Sequence, residues 1–323
     1  MPEAARGPRR GLVLGAGGVL GAAWTIGALH ALEAGGVDPH TVDTVVGTSA
    51  GSVLAAFVGR RVPVEAMVNH QRGLLVEGDP RIEYHYDAEP PLPPRPRLRL
   101  GSRKLLATTA RNPMRVTPMT ALAAVLPRGR GSIAPIGALV DAVAPGDGWP
   151  TGPRTWIVTM DYSTGRRVPF GRPGSPSAPL PRAVMASCAI PGWYAPVEIG
   201  GRTYVDGGAC SATSLDLLAP LGLDEVYVLA PMVSFEYDQP QSPIARLERR
   251  LRRAATRRLL REAAKVRAAG ATVTVLGPGP EDLVTMGGNL MDARRREQVF
   301  ETSLRTSATA FASGAPAGLP AAG

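Results

Sequence analysis

Apolar and polar positions alternate between two regimes along this chain. Short, nearly uninterrupted apolar runs at 11–14, 43–46, 155–160, 225–229 and 271–276 have the length of strands buried on both faces. Between them, apolar residues recur every three or four positions. Trp24, Ile26, Leu29 and Leu32 mark a helix over 22–34 that stops at Gly35-Gly36; further helices are predicted over 52–58 and over 182–190, the last ended by Pro191-Gly192. Runs at 197–199 and 203–205 flank Gly200-Gly201, a hairpin signal. Strand, turn and helix follow one another twice within the first sixty residues, which predicts an α/β fold: a largely parallel central sheet with helices on both faces and functional loops at the strand C-termini.

Two regions depart from this alternation. Pro90, Pro91, Pro93, Pro94 and Pro96 exclude a helix or central strand at their position, and 77–150 reads as an irregular cap made basic by Arg95, Arg97, Arg99, Arg103 and Lys104. Residues 244–268 hold ten Arg or Lys against two Glu, with Ile244, Leu247, Leu251, Ala255, Leu259 and Val266 at helical spacing. That is a basic amphipathic helix, expected to cover the sheet with a solvated Arg face, and an anionic lipid surface is the partner such a face would take. Residues 1–10 read as a flexible basic N-terminus, 11–312 as the folded domain, and the Gly/Ala/Pro-rich 313–323 as a disordered tail.

Composition narrows the field. The 323 residues are 44% hydrophobic, enough for a sizeable core, and 36 Lys plus Arg against 27 Asp plus Glu give a net charge of +9. Aromatic residues make up only 5% and are not interleaved with the basic ones, so stacking on single-stranded nucleic acid is not supported and no nucleic-acid partner is expected. Two cysteines, Cys188 and Cys210, form neither a disulfide framework nor a zinc site, and no metal or organic cofactor is expected. The uncharged stretch 11–32 contains six glycines and is a poor membrane span or signal sequence. A cytoplasmic protein, peripheral at the inner membrane surface, is the expectation; the oligomeric state is not legible.

Three motifs carry chemistry. Gly47-Thr48-Ser49-Ala50-Gly51 is a G-x-S-x-G between a strand and a helix, where a serine sits on a sharp turn and presents its hydroxyl to a cleft at a helix N-terminus. A serine nucleophile needs a base, yet the four histidines, His30, His40, His70 and His85, all precede residue 86. The order serine, acid, late histidine is therefore impossible, and the base is either an early histidine or no histidine. Asp206, in Tyr204-Val205-Asp206-Gly207-Gly208, ends a predicted strand and so comes to the same sheet edge as Ser49; a desolvated carboxylate there can take a serine proton. The glycine run Gly15-Ala16-Gly17-Gly18-Val19-Leu20-Gly21, between a strand and a helix, leaves backbone N–H groups suited to an oxyanion. A dinucleotide fingerprint would need glycine where Leu20 stands, and neither lysine follows a glycine as a P-loop requires.

Taken in this order, the motifs resemble those of the patatin-like phospholipase family, as does Ala186-Ser187-Cys188-Ala189-Ile190-Pro191-Gly192 before the aspartate. The resemblance spans about residues 11–210 and implies a three-layer α/β fold with a Ser–Asp dyad acyl hydrolase acting on phospholipids or lysophospholipids. It makes Ser49 the nucleophile and Asp206 the base. It places the oxyanion at the amides of Ala16, Gly17 and Gly18, with Gly21, Gly47, Gly51, Gly207 and Gly208 as supporting motif positions. Two residues depart from the family's G-G-G-x-[RK]-G loop: Ala16 replaces a glycine and Leu20 the basic residue. A positive φ forced on Ala16 would weaken the oxyanion hole, and Leu20 is expected to affect headgroup or loop contacts. The alternative is a catalytically weak lipid-surface binding protein of the same fold.

Overall fold

The computed structural model describes residues 7–82, 84, 94, 101–111, 116–143 and 148–313. Their strands form one sheet: β1 (Arg10–Leu14), β2 (Thr44–Thr48), β3 (Arg154–Asp161), β4 (Arg167–Phe170), β5 (Val197–Ile199), β6 (Arg202–Asp206), β7 (Glu225–Leu229) and β8 (Thr272–Leu276). The order is β5-β6-β3-β2-β1-β7-β8, with β4 also paired to β3. The run β3-β2-β1-β7-β8 is parallel throughout, whereas β4, β5 and β6 pair antiparallel.

Side-chain alternation on the strands builds two cores. Leu12 and Leu14 of β1, Val45 of β2 and Ile157 of β3 point to one face. There they pack against α1 (Gly18–Ala34), α2 (Ala50–Gly59), α3 (Val64–Gln71), α6 (Ala134–Val143), α7 (Leu180–Cys188) and α10 (Arg296–Ala312). Their neighbours Val13, Val46, Trp156 and Val158 point to the other face, covered by α8 (Pro243–Ala268) and a 3-10 segment at Leu215–Leu221. Helices on both faces of a mostly parallel sheet are the expected three layers. The helix α1 is apolar on nearly all sides, because α10 lies against it; the Leu20 side chain is wholly buried there, and its amide donates to the Leu290 carbonyl in the segment before α10 (3.0 Å).

Several expectations are corrected. Arg9 and Arg10 belong to the folded body: the Arg9 amide donates to Asp224 (2.6 Å) and Arg10 pairs with Glu225 (2.8 Å). Residues 1–6 and 314–323 lie outside the described residues, as do Arg95, Arg97 and Arg99 and all the prolines of 90–96 but Pro94. The described parts of 77–150 are not irregular, since they contain α4 (Arg103–Arg111), α5 (Pro118–Val125) and α6. Thr117 caps α5 by accepting the Thr120 amide at 3.1 Å, with Pro118 at the first helical position. The remaining helix, α9 (Pro280–Met286), precedes α10. Among the described residues no helix is long and apolar enough to cross a membrane.

Candidate active site

The strand β2 ends at Thr48, and Ser49 makes the turn into α2 with φ 54° and ψ −126°, a left-handed conformation costly for a side-chain-bearing residue. The turn is held from both sides. The Ser49 amide donates to the Ser187 hydroxyl (2.9 Å), which itself donates to the Val158 carbonyl (2.7 Å), and the Ser49 carbonyl accepts from the Ser52 amide (2.7 Å). A Cβ on Gly51 would overlap the carbonyl of Leu14, so only glycine lets the start of α2 close onto the end of β1.

Asp206 reaches Ser49 by a route the sequence did not specify. Its strand β6 runs antiparallel to β3, so a full-length pairing would carry its C-terminal end away from Ser49. Only the last three residues of β3 are paired, with Thr159 opposite Asp206, while Val158 stands opposite Thr48 of β2. The two strand ends therefore meet across β3 at adjacent levels. The Ser49 hydroxyl lies close enough to the Asp206 carboxylate to favour its ionised form, and the Gly208 amide donates to Asp206 Oδ1 at 2.7 Å. Burial pushes the Asp206 carboxyl from its ordinary 3.8 up to about 6, against the lowering pull of the Ser49 hydroxyl and the Gly208 amide.

The glycine-rich loop lies over the same point. The Gly15 amide donates to Leu229 (2.9 Å), and the Ala16 amide to Ala212 (2.8 Å) in the segment after Asp206. The Ala16 amide is thus already engaged, and Ala16 drops out of the expected oxyanion donors. Among the described residues the amides of Gly17 and Gly18 have no backbone acceptor. The positive φ of the loop falls on Gly18 (62°), not on Ala16, so the alanine imposes no backbone strain. Gly207 and Gly208 follow Asp206, Gly47 packs under α2, and Gly21 lies against Pro231.

From Ser49 an apolar cleft of about 780 Å³, counting space open to solvent, runs between the helices of one face. Val19 and Ile26 of α1, Val53 and Phe57 of α2 and Ile136 and Leu139 of α6 line it. His70 also lines it; burial, and then Arg296, push its pKa down to about 4, so it is a neutral ring and a weak base near pH 7. His40 instead bonds to the Val58 carbonyl, 3.2 Å away, and His85 lies outside the described residues. Sequence reasoning did not find the cleft or the positioning role of Ser187. The signals available for Ser187 were its place in the segment 186–192 that resembles the family's and its being a small polar residue at the end of a helix packed against β3.

Comparison with known proteins adds an independent line. Residues 12–219 match the family described as patatin-like phospholipase. Among solved structures, VipD from Legionella pneumophila is similar at 12% identity and a TM-score of 0.39, over 94% of this chain and 72% of that one. The type III effector protein ExoU is similar at 18% identity and a TM-score of 0.36, over 95% of this chain and 53% of that one. No match is found among curated protein sequences. The family match covers more than half of the sequence and includes the glycine-rich loop, the Ser49 turn and Asp206, and on that ground this chain belongs to the patatin-like phospholipase family.

Proposed function

We propose that this chain, a lipid hydrolase by its family, cleaves fatty-acyl ester bonds of phospholipids or lysophospholipids with Ser49 as nucleophile and Asp206 as its base. The observation that carries the reading is the placement of Ser49, on its strand–helix turn, against the buried Asp206 carboxylate, which burial pushes up to about 6, at a point that opens onto an apolar cleft. A base with that proton affinity is ionised near neutral pH and still accepts a proton in the transition state.

Ser49 Oγ attacks the ester carbonyl carbon while its proton passes to Asp206. The oxygen of the tetrahedral intermediate takes the negative charge and is held by the amides of Gly17 and Gly18; a single donor of this kind is worth about 2.7–4 kcal/mol. The carbonyl reforms as the C–O bond to the leaving alcohol breaks, and that alcohol takes the proton from Asp206. Water then attacks the acyl-enzyme, gives its proton to Asp206, and the fatty acid leaves as Ser49 is reprotonated. The acyl chain occupies the cleft between α1, α2 and α6. The alternative of a catalytically weak binding protein rested on Ala16 and on the basic helix 244–268; a loop whose positive φ falls on Gly18 speaks against the first of these supports and leaves the second standing.

Fatty-acid release from mixed micelles, with diacyl phospholipid and lysophospholipid compared, tests the proposal. Release by the wild type and none by Ser49→Ala or Asp206→Asn is expected. Equal turnover by either variant would overturn the dyad.

A further inference from the structure

The helix α8 is turned otherwise than its apolar spacing predicts. Its C-terminal half behaves as expected, with Leu259, Ala263 and Val266 buried against the sheet. In the N-terminal half the inward side carries Ala245, Glu248, Arg249, Arg252 and Thr256. These charges are satisfied internally. Arg252, fully buried, donates to Glu248 (2.7 and 3.0 Å) and to the Pro231 carbonyl, while Arg249 forks onto Asp238 (2.6 and 2.8 Å). The apolar strip is left outside: Ile244 is 67% exposed, Leu247 58% and Leu251 40%.

Beside that strip runs a row of arginines at helical spacing, Arg246, Arg250, Arg253 and Arg257, all exposed. Unlike Arg249, Arg252 and Arg258, none of the four has a carboxylate within ion-pair distance among the described residues. Arg246, Arg250 and Arg253 line a polar groove closed on its other side by residues 238–241. Two of these guanidinium groups are oriented in advance: Arg246 Nε donates to the Pro240 carbonyl (3.1 Å), and Arg253 stacks over Tyr237, 4.9 Å from the ring centre. Cation row and apolar strip lie side by side on one exposed helix face.

We infer that this face of α8 docks the protein on a bilayer containing anionic phospholipid, with Ile244, Leu247 and Leu251 entering the acyl boundary and the arginine row meeting the phosphates. Charge complementarity selects this occupant. An apolar strip alone would suit a second copy of the chain, but pairing two such faces would bring two unpaired arginine rows together. The position suits it as well. The opposite side of the same helix holds Pro231 through Arg252, and Pro231 packs against the loop glycines: a Cβ on Gly17 would come within 2.7 Å of its ring. One helix thickness, about 10–12 Å, therefore separates the lipid-facing strip from the support of the oxyanion loop. The inference rests on the proposed reading that the substrate is a membrane lipid, and it is tested without turnover.

Flotation of the full chain carrying Ser49→Ala, which cannot consume the vesicles, compares pure phosphatidylcholine with phosphatidylcholine containing phosphatidylglycerol. Binding to the anionic vesicles, weakened by salt, is expected. Each arginine near a charged surface is worth about fivefold in partitioning, so Arg250→Gln/Arg253→Gln/Arg257→Gln lowers binding on the order of a hundredfold, and lysine at the same three positions restores most of it. Leu247→Ser/Leu251→Ser weakens binding on its own. Thermal unfolding of each variant confirms an intact fold. Equal binding to neutral and anionic vesicles, or no loss in either variant, would overturn the inference; so would a wild-type dimer that Leu247→Ser/Leu251→Ser dissociates, which would assign the face to a second copy. Hydrolysis of a soluble short-chain ester by the wild type reports the catalytic reading separately, so either can fail alone.

Discussion

Replacing Asp206 by asparagine is expected to abolish turnover and at the same time make the protein more stable at neutral pH. Raising the carboxyl from 3.8 to about 6 means that the folded chain holds its proton more tightly than the unfolded chain does. The contribution to stability is fully present below pH 3.8, where both states are protonated. It is lost as pH rises through about 6, where the folded state ionises a buried group at a total cost of about 3 kcal/mol. The amide of Asp206→Asn has the same shape, and its oxygen can still accept from Gly208, but it never ionises. Other titrating groups are common to both proteins and cancel in the difference. The stability of the variant relative to wild type therefore increases by about 2 kcal/mol between about pH 4.5 and pH 7.5. Urea unfolding of both proteins at several pH values measures this. A difference that stays constant across the range, or that falls toward neutral pH, would refute the claim that burial of the Asp206 charge is the dominant effect at the site.

Other consequences follow from the same geometry. For a soluble ester, kcat/KM should fall below about pH 6 as Asp206 takes up its proton, reaching about a tenth of its plateau one unit lower; a profile flat down to pH 4.5 would contradict a carboxylate base. Ser187→Ala leaves the buried Ser49 amide and Val158 carbonyl without their partner, and should cost about 1–3 kcal/mol in urea unfolding while lowering kcat more than it changes KM. Gly51→Ala puts a methyl group into the Leu14 carbonyl and should destabilise by about 3 kcal/mol or more, or prevent folding. Ala22→Phe, on the wall of the cleft, should shift acyl preference toward shorter chains with little change in the hydrolysis of an acetyl ester.

The central strands and the three motifs were legible because local chemistry forces them. Runs such as Leu12–Leu14 have no alternative to a doubly buried strand, and the Ser49 turn needs Gly51 for a close approach that any scan for G-x-S-x-G detects. The direction of β6 was not legible from its own residues, because a five-residue strand reads alike in either sense. The Gly200-Gly201 hairpin does reverse the chain between β5 and β6, yet what brings Asp206 to Ser49 is the short overlap with β3, a tertiary property. The helices of 101–143 were hidden by the proline cluster before them, although Thr117-Pro118 is a recognisable helix start. In α8 the spacing identified the helix but not its rotation. Glu248, Arg249 and Arg252 satisfy one another and Asp238 inside the protein, which allows a charged strip to turn inward and an apolar one outward.

The central claim is that Ser49 is an activated nucleophile with Asp206 as its base. Reaction with a fluorophosphonate, followed by mass spectrometry of the digested protein, tests it most directly. The account predicts a single adduct on Ser49, absent from Ser49→Ala and formed far more slowly by Asp206→Asn. A folded wild type that takes up no probe at Ser49, or an Asp206→Asn variant that reacts as fast as the wild type, would contradict it.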